Sequence, residues 1–397
     1  MIDFQNTRIA FISQSDKGIL RAKWLFRTIA SKSIVKAGKL LTNLALLLHL
    51  PVAWLVKPTL YRQFVGGESI TKCLPSVRQL EKYNVKAILD YSVEGGHSTE
   101  AMQGTLEETL ETVKNAANDP NVPFAVFKPT AFATTTLLER ASTGATLLVD
   151  EQKALDQFRE RINKLCKKAF ELDVPILIDA EDVHFQAIID KVAFEMMELY
   201  NRKKAIVFNT YQMYCTDRLE KLQNDLYVAI KKDYFLGAKF VRGAYMERER
   251  LRARQKGYPS PIHVDKAATD RDYNAALTFA MQHLDRINIF NGTHNEESCM
   301  HLIKLMNETG LLINDSRIWH SQLYGMSDHI SFNLAAEGYN VAKYMPYGPL
   351  RSVLPYLIRR AEENTSLAGQ TGRELRLIDN EVKRRQGQKA VKSKSIS

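Results

Sequence analysis

The feature that most constrains the fold of this 397-residue chain is a short apolar run that recurs eight times from about residue 85. Each run is rich in β-branched or aromatic residues, ends in polar residues and is followed by a longer segment with helical periodicity. The runs begin at Val85, Pro123, Val174, Ala205, Ala238, Ile287, Arg317 and Tyr339. Continuous apolar runs predict strands that are buried on both faces, as in a parallel sheet covered by helices.

Regular alternation of strand and helix predicts the α/β class, as a distorted (β/α)8 TIM-type barrel with an N-terminal helical arm. The predicted arm covers residues 1–80 and the barrel residues 81–370. Residues 371–397 form a basic tail that we predict to be disordered. The gaps after the second and fifth strands are the longest, so we expect extra helices there. A flattened doubly wound sheet is the alternative that this pattern leaves open.

The net charge of +10 is concentrated at the two ends of the chain. Residues 1–63 contain ten Lys and Arg against two acids, and residues 371–397 contain eight against three. The central body is therefore slightly acidic. A nucleic-acid-binding protein normally spreads basic residues across a folded face, so the distribution disfavours nucleic acid as a partner. It leaves attraction to an anionic membrane surface open.

Cysteine usage and the apolar segments bear on the compartment. The four cysteines are scattered without metal-ligand spacing, which predicts a reducing compartment and no metal site. The most apolar segment, Leu40 to Val56, is interrupted by Asn43, His49 and Pro51, and predicts a packed or interfacial helix rather than a membrane span. The N-terminus lacks the pattern of a signal or transit peptide. These features predict a cytoplasmic protein.

Polar residues at the ends of the predicted strands indicate a catalytic site. The active site of a barrel forms at the carboxyl ends of its strands. Those ends and the last helix supply Asp90, Glu94, Lys128, Asp179, Glu181, Gln212, Lys239, Arg242, Tyr245, His294, Asn295, Tyr344, Arg359 and Arg360. Each residue has an ordinary structural explanation taken singly, such as a helix cap at Asp179. Together they favour a site for an anionic ligand.

The chain has neither the GxGxxG pattern nor a Walker loop, so side chains and loop amides would have to hold any nucleotide. Arg and Lys suit carboxylate and diphosphate oxygens. From the residues alone we expect a barrel enzyme for a small carboxylate, with a phosphate-bearing cofactor.

Several longer motifs resemble those of the proline dehydrogenase family. "AKFVRGAY", "GTHN", "YMPYGP" and "YLIRRAEENTS" occur in that order, after "ILIDAED" and "FNTYQ". The likeness runs from about Phe64 to Ser366 and is nearer to the stand-alone form than to the form fused to an aldehyde dehydrogenase. It implies a barrel that binds FAD non-covalently, oxidises L-proline to 1-pyrroline-5-carboxylate and passes electrons to a membrane quinone.

The resemblance also implies roles for residues at matching positions. For the substrate it implies that Arg359, Arg360 and Lys128 bind the carboxylate, that Tyr344 and Tyr356 pack on the ring and that Asp179 orients the polar groups. Glu94 matches the residue that pairs with Arg359 to close the site, and Phe240 stands where the family usually has a leucine over the substrate. For FAD the matching residues are Gln212, Lys239, Arg242, Gly243, Tyr245, His294, Asn295, Arg360, Glu363 and Ser366. Lys239 replaces an arginine found in many bacterial members.

Other functions stay open from the sequence. A related flavoenzyme acting on hydroxyproline fits the same motifs. A non-catalytic binder of membranes or nucleic acid would use only the basic ends, and a flavin-free barrel aldolase would use Lys128 or Lys239 as a Schiff-base lysine. If quinone is the acceptor, the charge of the arm and the apolar segment near Leu40 predict a peripheral contact with the inner membrane.

Overall fold

The structure is a computed structural model that describes residues 2–31, 33–38, 40, 56–92, 98–366 and 368–394. Of residues 362–366, 368–371 and 390–394 it describes the backbone only. The chain divides into two compact units. The first unit comprises Met1–Val85 and Gln322–Ser397, and the second comprises Lys86–Ser321.

All eight predicted strands are present. They are β1 (Lys86–Tyr91), β2 (Ala125–Phe127), β3 (Ile176–Ile178), β4 (Val207–Gln212), β5 (Leu236–Val241), β6 (Ile287–Gly292), β7 (Ile318–Leu323) and β8 (Val341–Tyr347). The sheet has the order β1-β8-β7-β6-β5-β4-β3-β2, and the pairs from β2 to β7 are parallel. Neighbours in the sheet are thus neighbours in the chain, which confirms the (β/α)8 class and excludes the doubly wound alternative.

The register of β4 and β5 decides which side chains share a face. Thr210 is opposite Lys239, and Tyr211 is opposite Phe240. Because successive side chains of a strand point to opposite faces, Lys239 and Phe240 face different sides of the sheet.

Helices follow the strands of the second unit, with additional ones after β2 and β5 as expected. They are α4 (Thr99–Asn118), α5 (Thr135–Ser142), α6 (Val149–Glu171), α7 (Val183–Tyr200), α8 (Arg218–Lys231), α9 (Met246–Lys256), α10 (Lys266–Gln282) and α11 (Glu296–Glu308). Local chemistry sets their ends. Ser98 and Asp265 accept hydrogen bonds from the amides of Ala101 and Ala268, which caps α4 and α10.

The first unit contributes β8 and the remaining helices. These are α1 (Thr7–Ala10), α2 (Asp16–Ile29), a π-helical turn (Lys57–Tyr61) that continues into Arg62–Phe64, α3 (Ile70–Glu81), α12 (Asp328–Ala336), α13 (Leu350–Ser366) and α14 (Ala368–Lys394). Residues 33–38 are also helical. Leu25 and Phe26 of α2 share one apolar cluster with Leu354 and Leu357 of α13. This cluster is the core of the unit.

The predicted disorder of residues 371–397 is wrong where the structure describes them, because α14 is helical and packs on the N-terminal helices. Leu377 and Ile378 are buried in the cluster that contains α2. Glu381 is fully buried and pairs with Arg385, which also binds Asp16 at 2.9 Å. These apolar contacts and ion pairs offset the conformational entropy that is lost when the charged segment becomes ordered. The composition of the segment does not reveal these contacts.

The apolar segment singled out in the sequence lies mostly at residues 41–55, outside the described residues. None of the helices that the structure describes is both long enough and apolar enough to cross a bilayer.

Candidate active site

Four alternating charges connect the carboxyl ends of strands in the second unit. Lys128 Nζ, just after β2, lies 2.7 Å from Asp90 Oδ2 of β1 and 3.3 Å from Asp179 Oδ2 after β3. The other carboxylate oxygen of Asp179 lies 2.6 Å from Nζ of Lys239 on β5. We call Asp90, Lys128, Asp179 and Lys239 the charge chain.

The charge chain is well shielded from water. The side chain of Asp90 is 2% exposed and that of Lys239 7%, while Lys128 and Asp179 are 15% and 13% exposed. Two carboxylates balance two ammonium groups, which makes their burial tolerable. Such an arrangement fixes the positions of two lysine side chains, which can orient an anionic ligand or a polar heterocycle.

Glu181 is a buried carboxylate close to the charge chain. The sequence placed it among the strand-end acids but gave it no role of its own. Its two oxygens accept hydrogen bonds from the backbone amide and the hydroxyl of Thr130, at 2.9 and 2.6 Å. Gln212 of β4 donates to the Glu181 carbonyl at 2.6 Å. Glu181 therefore ties the segment after β2 to the segment after β3 and holds the Gln212 amide in place.

Burial raises the pKa of Glu181 from 4.5 to about 7, and the hydrogen bonds from Thr130 oppose this rise. An acid with a raised pKa binds more protons when folded, so its contribution lowers stability as pH rises from about 4.5 to about 7. Between pH 5.5 and 8, the unfolding free energy of the wild type should therefore fall by on the order of 2 kcal/mol more than that of Glu181→Gln, which has no carboxyl group to titrate at this position. Denaturant titrations at the two pH values measure this.

The exposed Glu308 of α11 provides the control. Glu308→Gln should keep the pH dependence of the wild type. An unchanged pH dependence in Glu181→Gln would show that Glu181 titrates normally.

Arg242 follows β5 and is held by groups around the N-terminus of α11. Its guanidinium donates to Asp270 Oδ1 at 2.8 Å, Thr293 Oγ1 at 2.6 Å and Ser298 Oγ at 3.0 Å. It also lies 4.4 Å from the centre of the Tyr273 ring. The planar guanidinium is thus fixed in orientation by hydrogen bonds and stacking.

Asn295 caps α11 by accepting a hydrogen bond from the Ser298 amide at 2.9 Å. The preceding residue, His294, is half-buried in the same turn. The positive end of a helix beside a guanidinium is suited to an anion such as a diphosphate.

Gly243 and Tyr245 lie in the turn between β5 and α9. Gly243 has φ +127°, and a Cβ on it would lie 2.5 Å from ring atoms of Tyr214. Tyr245 is the residue before α9, and the guanidinium of Arg248 lies 4.4 Å from the centre of the Tyr245 ring. The turn therefore requires glycine and has one aromatic side chain at its end.

The structure does not bring Phe240 to the charge chain. Its side chain is fully buried, and its ring lies 5.9 Å from that of Tyr211. The Tyr211 hydroxyl donates to Asp225 of α8, so both rings lie on the helix-facing side of the sheet. Lys239, one residue earlier, faces the other side. A position for Phe240 over a ligand therefore conflicts with the strand's alternation.

The other predicted side chains belong to the first unit. Tyr344 of β8 and Tyr356 of α13 are buried, Arg359 is half-buried and Arg360 is 8% exposed. The guanidinium of Arg360 lies 5.2 Å from the centre of the Tyr356 ring, as expected for side chains four residues apart on a helix. The adjacent arginines thus differ in environment, and Arg360 is the more buried.

Three predicted residues have no described side chain. Glu94 lies outside the described residues, and Glu363 and Ser366 belong to the part of α13 of which only the backbone is described. Their predicted roles remain predictions.

Comparison with known proteins gives the family. The family model for proline dehydrogenase matches residues 73–373. The chain is 40% identical over 245 residues to "Proline dehydrogenase 1, mitochondrial" of Drosophila melanogaster, covering 59% of this chain and 36% of that protein. It is 31% identical over 420 residues to "Hydroxyproline dehydrogenase" of Xenopus laevis, covering 94% of this chain and 90% of that one. The match therefore spans about a third of the fly protein and most of the frog protein.

Among solved structures, proline utilization A from Bdellovibrio bacteriovorus has a similar fold. The TM-score is 0.69 at 21% identity, over 78% of this chain and 33% of that chain. The fold is therefore shared with a part of that longer protein. From the family model, which matches more than half of the residues, we conclude that this chain belongs to the proline dehydrogenase family.

Proposed function

We propose that this protein is an FAD-dependent proline dehydrogenase that oxidises the CH–NH bond of L-proline to 1-pyrroline-5-carboxylate, the first step of proline catabolism to glutamate. Family membership supports the proposal. The observation that carries it is the charge chain, in which Asp179 joins Lys128 and Lys239 at the carboxyl ends of barrel strands. This is the part of a barrel where catalytic groups are found.

The substrate's carboxylate is assigned to Lys128, Arg359 and Arg360. Arginine binds a carboxylate through two parallel hydrogen bonds, and a lysine adds a point charge. Tyr344 and Tyr356 provide flat apolar surfaces for the pyrrolidine ring. Glu94 is assigned to pairing with Arg359.

The residues of the second unit fit a non-covalently bound FAD. Arg242, which contacts the start of α11 through Ser298, suits the diphosphate, with His294 and Asn295 in the turn before that helix. Gly243 has no side chain, which allows a close approach of its backbone to a cofactor. Lys239 and Gln212 offer donors for the polar edge of the flavin. Tyr245, Arg360, Glu363 and Ser366 complete the proposed set.

A bound flavin would supply the redox chemistry, as the acceptor of a hydride, with its two electrons, from the ring carbon next to nitrogen. The chain's own residues orient the substrate. Asp90 and Asp179 fix the position of the Lys128 ammonium group that would bind the carboxylate, and all three side chains have little exposure to water. The amine must be neutral when the C–H bond breaks, because a C=N bond forms with the nitrogen lone pair. No strong protein base is required.

The electron acceptor is proposed to be a membrane quinone. The excess of basic residues among positions 1–63 supports a peripheral contact of a cytoplasmic protein with the anionic inner membrane. Recovery of all the protein in the soluble fraction after flotation with anionic liposomes would argue against this contact. The division of the chain into an arm at residues 1–80, a catalytic barrel at residues 81–370 and a tail at residues 371–397 is also part of the proposal.

The test of the function is the visible spectrum of the purified protein before and after anaerobic addition of L-proline. We expect flavin bands at about 380 and 450 nm that bleach with L-proline but not with D-proline, and that return when a quinone analogue is added. A yellow protein that does not bleach would exclude proline as the substrate. A colourless protein that takes up no FAD would exclude the flavoenzyme.

Oxidation of hydroxyproline is a second candidate, favoured by the similarity to the hydroxyproline dehydrogenase of Xenopus laevis over 94% of this chain. Turnover with proline, hydroxyproline and pipecolate under the same conditions separates the two. A higher kcat/KM for hydroxyproline would replace the proposed substrate.

Arg359→Met and Arg360→Met are expected to have different effects. Arg359→Met should raise KM for proline at least about 10-fold at unchanged flavin content, because it removes a charge-assisted bond to the substrate. Arg360→Met should also lower flavin content, because Arg360 is assigned to both ligands. Titration of flavin absorbance per chain, with steady-state kinetics, measures both. Equal and mild effects would contradict these assignments.

A further inference from the structure

A compact group of ligand-type side chains lies outside the proposed catalytic residues. Asp182 precedes α7, His184 is its second residue and Glu249 lies on α9. One possible ligand atom from each lies within 4.8 Å of the others. Asp182 and Glu249 are 8% and 1% exposed. Glu249 lies 65 residues after His184 in the sequence, which is why no ligand spacing revealed the group.

Two atoms of this group are buried with no hydrogen-bond partner among the described residues, Oε2 of Glu249 and Nδ1 of His184. The other polar atom of each side chain faces a partner. The Val183 amide donates to Glu249 Oε1 at 2.7 Å, and Nε2 of His184 lies 3.8 Å from Glu139 Oε2. Each side chain is thus oriented from one side and presents an open lone pair on the other.

This pattern is typical of metal ligands. A metal-binding histidine usually directs its other ring nitrogen to a carboxylate, and a ligating carboxylate is usually hydrogen-bonded as well. Glu139 and the Val183 amide occupy these outer positions here. An imidazole with two carboxylates suits a borderline divalent cation, with water completing the coordination. We propose that Asp182, His184 and Glu249 bind one divalent cation of the Zn²⁺ type, through His184 Nδ1 and carboxylate oxygens.

The neighbouring charges permit a cation. Arg248 pairs with Asp182, and Arg252 pairs with Glu139. Two arginines face three carboxylates, so the group carries a net charge of −1 with a neutral imidazole. The Arg248 side chain is 57% exposed and can turn into solvent, which frees an oxygen of Asp182.

The cation would act as a structural link. Asp182 lies three residues after Asp179, and Glu249 lies seven residues after Arg242. Binding would join the segment that follows β3 to the helix that follows β5. It would therefore stabilise the ends of the two strands that carry Asp179 and Lys239.

Zinc retention by the untagged, flavin-loaded protein tests the site. The protein is treated with EDTA, desalted, incubated with a twofold excess of ZnCl₂ and desalted again before metal analysis. We expect about one Zn²⁺ per chain and a Tm higher by at least about 3 °C. His184→Asn and Glu249→Gln should lose both effects, whereas His283→Asn, outside the group, should keep them.

Wild-type protein that retains less than about 0.2 Zn²⁺ per chain would overturn the proposal, because a three-ligand site survives desalting. Equal retention by His184→Asn and His283→Asn would also overturn it. If His184→Asn and Glu249→Gln do not fold, Asp182→Asn replaces them under the same criteria. The readout is independent of proline oxidation, so neither result bears on the proposed function.

Discussion

Asp179→Asn is expected to lower kcat/KM for L-proline by about 10²–10³-fold, because it removes the negative charge that lies between two buried ammonium groups. Lys128 and Lys239 lie 3.3 and 2.6 Å from its carboxylate oxygens. Asparagine has the same size and can accept only through one oxygen, and its amide group would face one of the lysines as a donor. Repulsion then displaces the amines from the positions in which they orient the ligands.

The effect should appear in kcat as well as in KM. Lys128 is assigned to the substrate and Lys239 to the flavin, so misplacing both disturbs the alignment on which hydride transfer depends. Rates are normalised to bound flavin, which separates loss of cofactor from loss of alignment. Stopped-flow reduction of the flavin at saturating proline measures the hydride step directly.

Asp225→Asn is the matched control. Asp225 accepts from Tyr211 and pairs with Lys221 at 3.0 Å on the helix-facing side of the sheet. The variant removes a largely buried carboxylate from a lysine without touching the charge chain, and kcat/KM per flavin should stay within about 3-fold of the wild type. Equal losses in the two variants would mean that Asp179 supports folding rather than catalysis.

The strands were predictable because burial on both faces leaves a direct trace in the sequence. The runs that begin at Pro123 and Val174 contain no polar residue before Lys128 and Asp179, so nothing in them suggests an exposed face. Parallel strands end at the same edge of a sheet, so Lys128 and Asp179 were expected near each other. Their separation of 3.3 Å agrees with this expectation.

The pairing within the site was not predictable in the same way. Asp90 pairs with Lys128 because the ends of β1 and β2 lie close together, which depends on the arrangement of the strands rather than on residue type. Glu181 appeared only as one more strand-end acid, since its bonds to Thr130 depend on the turn after Lys128. The role predicted for Phe240 was taken from its position in a family motif. A motif match does not take into account which face of the strand the side chain points to, and here that face is the one toward the helices.

The C-terminal segment shows why composition alone can wrongly predict disorder when a segment is stabilised by residues far away in the sequence. Its positive charge suggests disorder, yet Arg385 reaches Asp16 and the carbonyls of Phe11 and Gln14 at 2.9 Å. These partners lie more than 360 residues away in the chain. Disorder was inferred from local sequence, whereas the helix is stabilised by tertiary contacts.

Gly243→Ala is expected to destabilise the protein by about 2–6 kcal/mol and to lower its flavin content. The conformation at φ +127° is one that L residues rarely adopt, which costs about 1–3 kcal/mol. The added methyl would lie 2.5 Å from the Tyr214 ring. Tyr214 is 3% exposed and packs with Cys215 and Ile262, so relief requires repacking at a further cost of about 1–3 kcal/mol.

Gly257→Ala is the control that separates the cost of the backbone conformation at Gly243 from the cost of the contact between the added methyl group and Tyr214. Gly257 has φ +73° at the end of α9, and a Cβ there would meet nothing within 4 Å. It should cost about 1 kcal/mol from backbone conformation alone. Chemical denaturation of both variants, with flavin absorbance per chain, measures the difference. If both lose the same stability, contact with Tyr214 does not limit this turn. If Gly243→Ala loses more stability and also flavin, the turn after β5 needs glycine for both folding and the proposed FAD site.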